Sequence, residues 1–240
     1  MSEDKKNKNK DNTESRRSFL KKGATMGGAT LLAGMGLGQK TLQAEDLSTE
    51  KKALFLDQSL CVECQACRVA CQNENEFPIT AQSIRFKSYE QGSYPDVEYR
   101  ASRWSCFHCN DAPCIDVCPV DALEKDVGEM TVTDIETCIG CEECIGACPY
   151  EVPEVIEGKM YKCNGCDHLL VHEQKPACVT TCPTYAMEFG SQKEMAEIGR
   201  ERVRSLEDEG EEAYLYGLEA QDGLGLLMVL RAEPESFDLI

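Results

Sequence analysis

The stretch Cys138-Ile139-Gly140-Cys141-Glu142-Glu143-Cys144-Ile145-Gly146-Ala147-Cys148-Pro149 reads C-x2-C-x2-C-x3-C-P, and its spacing decides what kind of molecule this is. Three cysteines crowded into one short loop can wrap three thiolates round one group, with backbone N–H groups turned inward. The fourth lies beyond reach of that set and opens a helix toward a neighbouring site. Cys61, Cys64, Cys67 and Cys71 repeat the same spacing. Cys106, Cys109, Cys114 and Cys118 keep the first C-x2-C and the closing C-x3-C but lengthen the gap between them. So do Cys163, Cys166, Cys178 and Cys182. The 16 cysteines thus fall into four sets of four with none left over. Pro119, Pro149 and Pro183 follow three of the closing cysteines, where a chain leaving one local geometry needs no donor. In the first set Gln72 stands in that place.

So many cysteines in 240 residues admit a disulfide framework, several zinc sites or iron–sulfur clusters. Structural zinc takes cysteine pairs from two separated knuckles, often mixed with histidine, rather than three cysteines in one loop. The run C-x2-C-x2-C-x3-C-P is the one by which bacterial two-cluster ferredoxins hold [4Fe-4S] clusters. Each set supplies a complete ligand shell, so the sequence predicts four [4Fe-4S] clusters with all 16 cysteines as iron ligands.

Formal net charge is −18, and it is unevenly spread. The first 44 residues carry nine Lys and Arg against four Asp and Glu, leaving 16 against 39 beyond them. A nucleic-acid-binding surface is cationic, so no nucleic-acid partner is expected. Such acid serves solubility or a salt-rich habitat. The sharper reading is an acidic docking face for a basic partner such as a cytochrome.

Ser15-Arg16-Arg17-Ser18-Phe19-Leu20-Lys21 closely resembles a twin-arginine export signal. Lys5, Lys6, Lys8 and Lys10 precede it, and a Gly- and Ala-rich apolar run from Gly23 to Gly38 follows. Residues 1–44 are therefore expected to be a twin-arginine signal region. Leu42-Gln43-Ala44 is a candidate cleavage site, and an uncleaved tether is the rival reading. The run is short and glycine-rich for a span, which takes about 20 mainly apolar residues. A twin-arginine route carries folded cargo, so clusters can be inserted in the reducing cytoplasm before export. A disulfide protein gains nothing from that route. The expected location is the periplasm or the outer face of the cytoplasmic membrane.

Ala122–Lys125 and Met130–Thr133 flank Asp126-Val127-Gly128-Glu129 and read as a hairpin with a glycine turn. Cluster loop, short helix and hairpin, repeated, make residues 101–159 one two-cluster module. Residues 45–100 with 160–240 then form a second, discontinuous module. Arg85–Arg100 reads as an inserted hairpin and Ala186–Gly190 as a strand. Ser191-Gln192-Lys193-Glu194 fits the capping box S-x-x-E. Met195, Ile198, Val203 and Leu206 continue at helical spacing to about Glu207. Glu207–Glu212 reads as a solvated turn, and Tyr214–Gly217 and Leu226–Leu230 as closing strands. The expected fold class is α+β, two interleaved bacterial-ferredoxin-like two-cluster modules with small antiparallel sheets and short helices.

The stretches L-C-V-E-C-Q-A-C at Leu60 to Cys67, C-F-H-C at Cys106 to Cys109, C-P-Y-E-V-P at Cys148 to Pro153 and P-A-C-V-T-T-C-P at Pro176 to Pro183 carry a family resemblance. Through them, Cys61 to about Leu239 resembles the four-cluster iron–sulfur subunits that partner dimethyl-sulfoxide-reductase-family molybdopterin enzymes and certain nickel–iron hydrogenases. The tail from Phe189 to Leu230 is similar to formate dehydrogenase β subunits. The signal with Cys61–Cys71 is similar to the ferredoxin-like subunit of uptake hydrogenases.

The resemblance implies that ligands cross between sets. Cys61, Cys64 and Cys67 would share a cluster with Cys182, and Cys163, Cys166 and Cys178 with Cys71. Cys106, Cys109 and Cys114 would share one with Cys148, and Cys138, Cys141 and Cys144 with Cys118. It also implies a non-catalytic electron-transfer subunit that relays single electrons. The catalytic partner would be of formate dehydrogenase, hydrogenase or sulfur-compound reductase type, molybdopterin- or nickel–iron-based. A quinone-reactive or cytochrome membrane subunit would lie at the other end. A free-standing soluble polyferredoxin is the competing reading. No nucleophile–base pair or substrate motif is present in the sequence. His108 is expected to pack beside the second set, Trp104 to lie in the core, and His168 and His172 to form a surface pair.

Overall fold

The computed structural model describes residues 50–240, so the expected signal region, residues 1–44, lies outside the described residues. Strand β1 (Lys52–Asp57) and the later β10 (Leu226–Leu230) are apolar nearly end to end and buried. Such runs mark strands covered on both faces. They pair in parallel, Leu54 opposite Leu226 and Asp57 opposite Val229. β8 (Met187–Ser191) and β9 (Tyr214–Tyr216) flank them antiparallel, giving the order β8-β1-β10-β9.

Side chains then alternate between the two faces. Ala53, Phe55, Leu227 and Val229 pack with Met195, Ala196 and Leu206 of the helix Gln192–Asp208. Leu54, Leu56, Leu226, Met228 and Leu230 face the other way, onto Trp104, Phe107, Tyr150 and several cysteines. The long helix starts as its sequence requires, with Ser191 Oγ accepting the Glu194 N–H at 3.2 Å.

The remaining strands form two-stranded ribbons: β2 (Ile84–Ser93) with β3 (Asp96–Ser105), β4 (Leu123–Asp126) with β5 (Met130–Thr133), and β6 (Glu154–Ile156) with β7 (Lys159–Tyr161). Gly128 turns the second at φ +69° and Gly158 the third at φ +78°. The architecture is α+β with short helices, and the small antiparallel sheets expected are present except that one pairing, β1–β10, is parallel. Its partners lie at opposite ends of the described chain, so no local signal announces the pairing. β1 has no counterpart among the expected strands, and the β6–β7 ribbon is expected only as the second hairpin of the repeated unit, with no residues assigned to it.

Trp104 is in the core, 2% exposed, and donates its indole N–H to the Tyr150 carbonyl at 2.9 Å. Phe107 stacks on Tyr150 at 4.0 Å between ring centres, and the Tyr150 hydroxyl meets that of Tyr216 at 2.8 Å. These rings join the sheet to the cysteine-rich body. Among the described residues no helix is long and apolar enough to cross a membrane.

Candidate iron–sulfur centre

Each opening C-x2-C pair bends through a left-handed residue just before its second cysteine. These are Glu63, His108, Gly140 and Gly165, at φ +52°, +49°, +67° and +71°. A backbone turned this way points successive N–H groups into one concavity, a shape that suits anions. N–H groups do approach the sulfurs: His108 lies 3.5 Å from Cys106 Sγ, Gly165 3.4 Å from Cys163 Sγ and Ala122 3.2 Å from Cys118 Sγ. At Gly140 a Cβ would stand 2.3 Å from the Gly158 carbonyl oxygen, so close approach as well as φ demands glycine there.

The closing cysteines show what the prolines do. The helices Pro113–Asp116, Glu143–Ala147 and Ala177–Thr180 stop just short of Cys118, Cys148 and Cys182. Proline disfavours helical backbone in the residue before it, and Cys148 is extended at φ −77°, ψ 115°. Three residues past each of these cysteines the chain turns left-handed, at Asp121, Glu151 and Tyr185. In the first set Gln72 removes that constraint, and the helix Ala66–Glu74 runs through Cys71. The Gln72 amide instead donates to the carbonyls of Ile79 at 3.0 Å and Ala81 at 3.1 Å, pinning the following loop.

Three cavities of equal size are lined by four thiols each. Cys118 joins Cys138, Cys141 and Cys144 round about 360 Å³ of atom-free space, walled by Leu123 and Met160. Cys148 joins Cys106, Cys109 and Cys114 round about 360 Å³, walled by Phe107 and Tyr150. Cys182 joins Cys61, Cys64 and Cys67 round about 350 Å³, walled by Phe86 and Met187. The other four, Cys71, Cys163, Cys166 and Cys178, are all buried. Asn75 Nδ2 lies 3.7 Å from Cys71 Sγ and 3.8 Å from Cys166 Sγ, and Cys163 and Cys178 both feel the charge of Cys71.

The quartets abut in a row. Cys144 acts electrostatically on Cys114, Cys106 on Cys163, and Cys67 on Cys178. Cys141 in the first quartet of that row and Cys64 in the last are exposed.

All 16 cysteines are free. Burial, reinforced by neighbouring thiols, pushes Cys109 and Cys178 up to about 12 and Cys114 and Cys144 up to about 11. At Cys182 burial also acts upward. There the Thr184 hydroxyl and the N–H groups of Met187, Thr184 and Ala186 outweigh it and bring the thiol down. Thiols that burial pushes toward the neutral form sit poorly with N–H groups arranged for an anion. Metal coordination resolves the conflict, because it deprotonates the thiol. Four sulfur donors, apolar walls and inward N–H groups fit an iron–sulfur cubane.

His108 is buried, accepts the Thr131 N–H on Nδ1 at 3.0 Å, and is held neutral by burial and the charges of Lys162, Lys125 and Arg103. His168 lies at the surface, its Nε2 3.2 Å from Glu74 Oε1, and His172 is exposed. Sequence reasoning missed two buried cations. Lys162 is met by the Cys163 carbonyl at 3.1 Å and Asn164 Oδ1 at 3.3 Å. Arg103, 1% exposed, sits among the thiols. The signal for it was a charged residue on the inward side of β3, three positions before Cys106.

Residues 97–192 match the 4Fe-4S dicluster domain family and residues 58–74 the 4Fe-4S binding domain family. The chain is 38% identical over 184 residues to protein NrfC of Escherichia coli K12, covering 75% of this chain and 81% of that one. It is 38% identical over 149 residues to the thiosulfate reductase electron transfer subunit PhsB of Salmonella typhi, covering 59% and 77%. It is 33% identical over 219 residues to the iron–sulfur subunit of the nitrate-inducible formate dehydrogenase of Escherichia coli K12, covering 81% and 74%. With its cysteine sets, thiol-lined cavities and these relatives, the chain belongs to the family of 4Fe-4S ferredoxin-type electron-transfer subunits.

Proposed function

We propose that this chain is the non-catalytic electron-transfer subunit of an exported oxidoreductase complex and carries four [4Fe-4S] clusters. The observation that carries this reading is the crossing of the closing cysteines: Cys118 lines the cavity of the third set and Cys148 that of the second. On this reading the ligand sets are Cys61, Cys64, Cys67 with Cys182; Cys163, Cys166, Cys178 with Cys71; Cys106, Cys109, Cys114 with Cys148; and Cys138, Cys141, Cys144 with Cys118. The crossing supports a reading of residues 101–159 as one module and 45–100 with 160–240 as the other.

When bound, the clusters supply one-electron redox chemistry at potentials tuned by their surroundings. The chain's own part is to hold the thiolates, exclude water with apolar walls and set the quartets in a row. Exposed residues at the two ends serve as contacts for partners. Ile139 is 59% exposed beside Cys138, and Val62 63% and Tyr185 80% beside Cys61 and Cys182.

The relatives favour a catalytic partner of formate dehydrogenase or sulfur-compound reductase type. A hydrogenase remains within the same chemistry, and a quinone- or cytochrome-linked subunit takes the far end. The twin-arginine pattern in residues 1–44 supports a place in the periplasm or on the outer face of the cytoplasmic membrane.

Anaerobic purification with iron and acid-labile sulfide analysis tests the site. Iron and sulfide for four cubanes per chain are expected, and zinc without sulfide would sink the reading. A mild pull-down from the exported fraction tests the complex. A catalytic oxidoreductase subunit should co-purify, whereas a lone monomer trading electrons with many proteins would mark a free-standing polyferredoxin.

A further inference from the structure

Arg103 lies on β3 opposite Phe86, 1% exposed, on the boundary between two thiol quartets. It lines the cavity of Cys61, Cys64, Cys67 and Cys182. Its Nη2 also stands 3.9 Å from Cys178 Sγ of the next quartet. Nε and Nη1 are buried and have no hydrogen-bond partner. Among the described residues no carboxylate lies within ion-pair distance of it, while Cys178, Cys163, Cys67 and Cys71 are the sulfur groups whose anionic form would act on it most.

A guanidinium remains charged at every accessible pH. Burying it unpaired is costly even after relaxation, so folds seldom keep one without an anion. Lys162, the other buried cation here, shows the contrast: carbonyl and amide oxygens satisfy it. Arg103 is aimed only at sulfur. A cubane bound by four thiolates is an anion, and reduction adds one more negative charge.

We propose that Arg103 is the counter-cation shared by the Cys61/Cys64/Cys67/Cys182 and Cys71/Cys163/Cys166/Cys178 quartets, a positioning residue that favours the reduced form of the clusters they hold. The proposal rests on the reading that those quartets bind clusters. A neighbouring positive charge stabilises the more negative partner of a redox couple, so it raises the midpoint potential. The quartets of Cys106 and Cys138 lie further along the row and are spared. Two adjacent clusters are thereby set apart electrically from the other two.

The test is an EPR-monitored redox titration of the anaerobically purified full chain and of its Arg103→Met and Arg103→Lys variants. Dithionite is the reductant, and iron and sulfide are assayed alongside. In Arg103→Met, two clusters should be harder to reduce. Their reduced-to-oxidised ratio at a fixed potential should fall about tenfold or more, which is about 59 mV for a one-electron couple. The other two should stay within about threefold, about 28 mV on the same scale. Arg103→Lys should hold all four clusters near their original potentials.

Loss of just two clusters in Arg103→Met, with all four retained in Arg103→Lys, supports the same role, since only charge separates the variants. Four unmoved potentials, or four that move together, overturn it. So does loss of clusters in both variants, which marks a role in shape rather than charge. A parent chain without iron and sulfide overturns the reading of the site itself, a different result from a parent with four clusters and an indifferent Arg103.

Discussion

The β8-β1-β10-β9 layer with its helix and the cysteine-rich body beside it are held together by different means. The layer has a 17-residue helix and two central strands, β1 and β10, buried along nearly their whole length. Its apolar residues interlock across one continuous interface. Apart from the nine-residue helix Ala66–Glu74, the body has helices of four or five residues, Pro113–Asp116, Glu143–Ala147, Asp167–Leu170 and Ala177–Thr180, and two-stranded ribbons. Isolated helices that short do not persist in water, and a lone hairpin is marginal at best. These pieces stand round thiol-lined spaces, and the rings of Trp104, Phe107 and Tyr150 pack them against the layer. The layer is therefore stabilised by burial alone, whereas the body also depends on what its thiols bind.

Metal removal is the most forceful way to break this comparison. Binding energy at a site absent from the unfolded chain is folding energy. Anaerobic chelation of the purified protein should therefore strip protection from amides in the four short helices by about a hundredfold or more. Amides of β1, β10 and Gln192–Asp208 should keep most of theirs. Hydrogen exchange read by mass spectrometry decides the matter. A uniform loss across both regions would show one cooperative unit and end the distinction.

The two regions also differed in how far they could be read from sequence. In the layer, Ser191 and Glu194 with apolar residues at helical spacing located the long helix to within a residue. β8, β9 and β10 were likewise visible as short apolar runs. Their central partner β1 was not, because the parallel pairing joins distant segments and leaves no turn signal. In the body, cysteine spacing located every set, since the geometry of ligation is written in spacing. What spacing could not carry was the left-handed turn at Glu63 and His108, where no glycine advertises it. Nor could it carry the inward aim of Arg103, which depends on which face of β3 meets the thiols.

A core truncation in the layer sharpens the contrast from the opposite side. Phe55 is 2% exposed and packs among Met195, Leu206 and Val229. Phe55→Ala should cost about 3–5 kcal/mol, read as a lower midpoint in anaerobic urea denaturation. Iron content of the folded fraction should not change. A proportionate loss of iron would mean that the layer supports the thiol cavities directly.

Gly140→Ala makes the reverse cut. Forcing alanine to φ +67° against the Gly158 carbonyl should cost about 1–3 kcal/mol. The strain falls on the loop that presents Cys138 and Cys141. Iron analysis should show one cluster fewer per chain, with the layer's exchange protection intact. Full retention of iron would show that the loop can bend round the added methyl group.

The smallest expected effect is at the start of the long helix. Ser191 Oγ accepts the Glu194 N–H, while the Gln192 N–H is already met by the Lys51 carbonyl at 2.9 Å. Ser191→Ala therefore orphans one donor in the first turn, a loss of about 1 kcal/mol. The helix should remain docked, because its second half is tied down separately. Arg202 Nε donates to Asp57 Oδ2 at 2.7 Å and Nη2 to Ser59 Oγ at 2.9 Å, on the segment that leads from β1 into Cys61. Asp is as good a cap as Ser, so Ser191→Asp should restore the loss. Exchange should quicken only in the first turn, with iron and the short helices unaffected. If capping alone shifts the iron content, the tie from Arg202 to Asp57 transmits strain into the Cys61 loop, and the boundary between burial and ligation lies inside the layer rather than at its face.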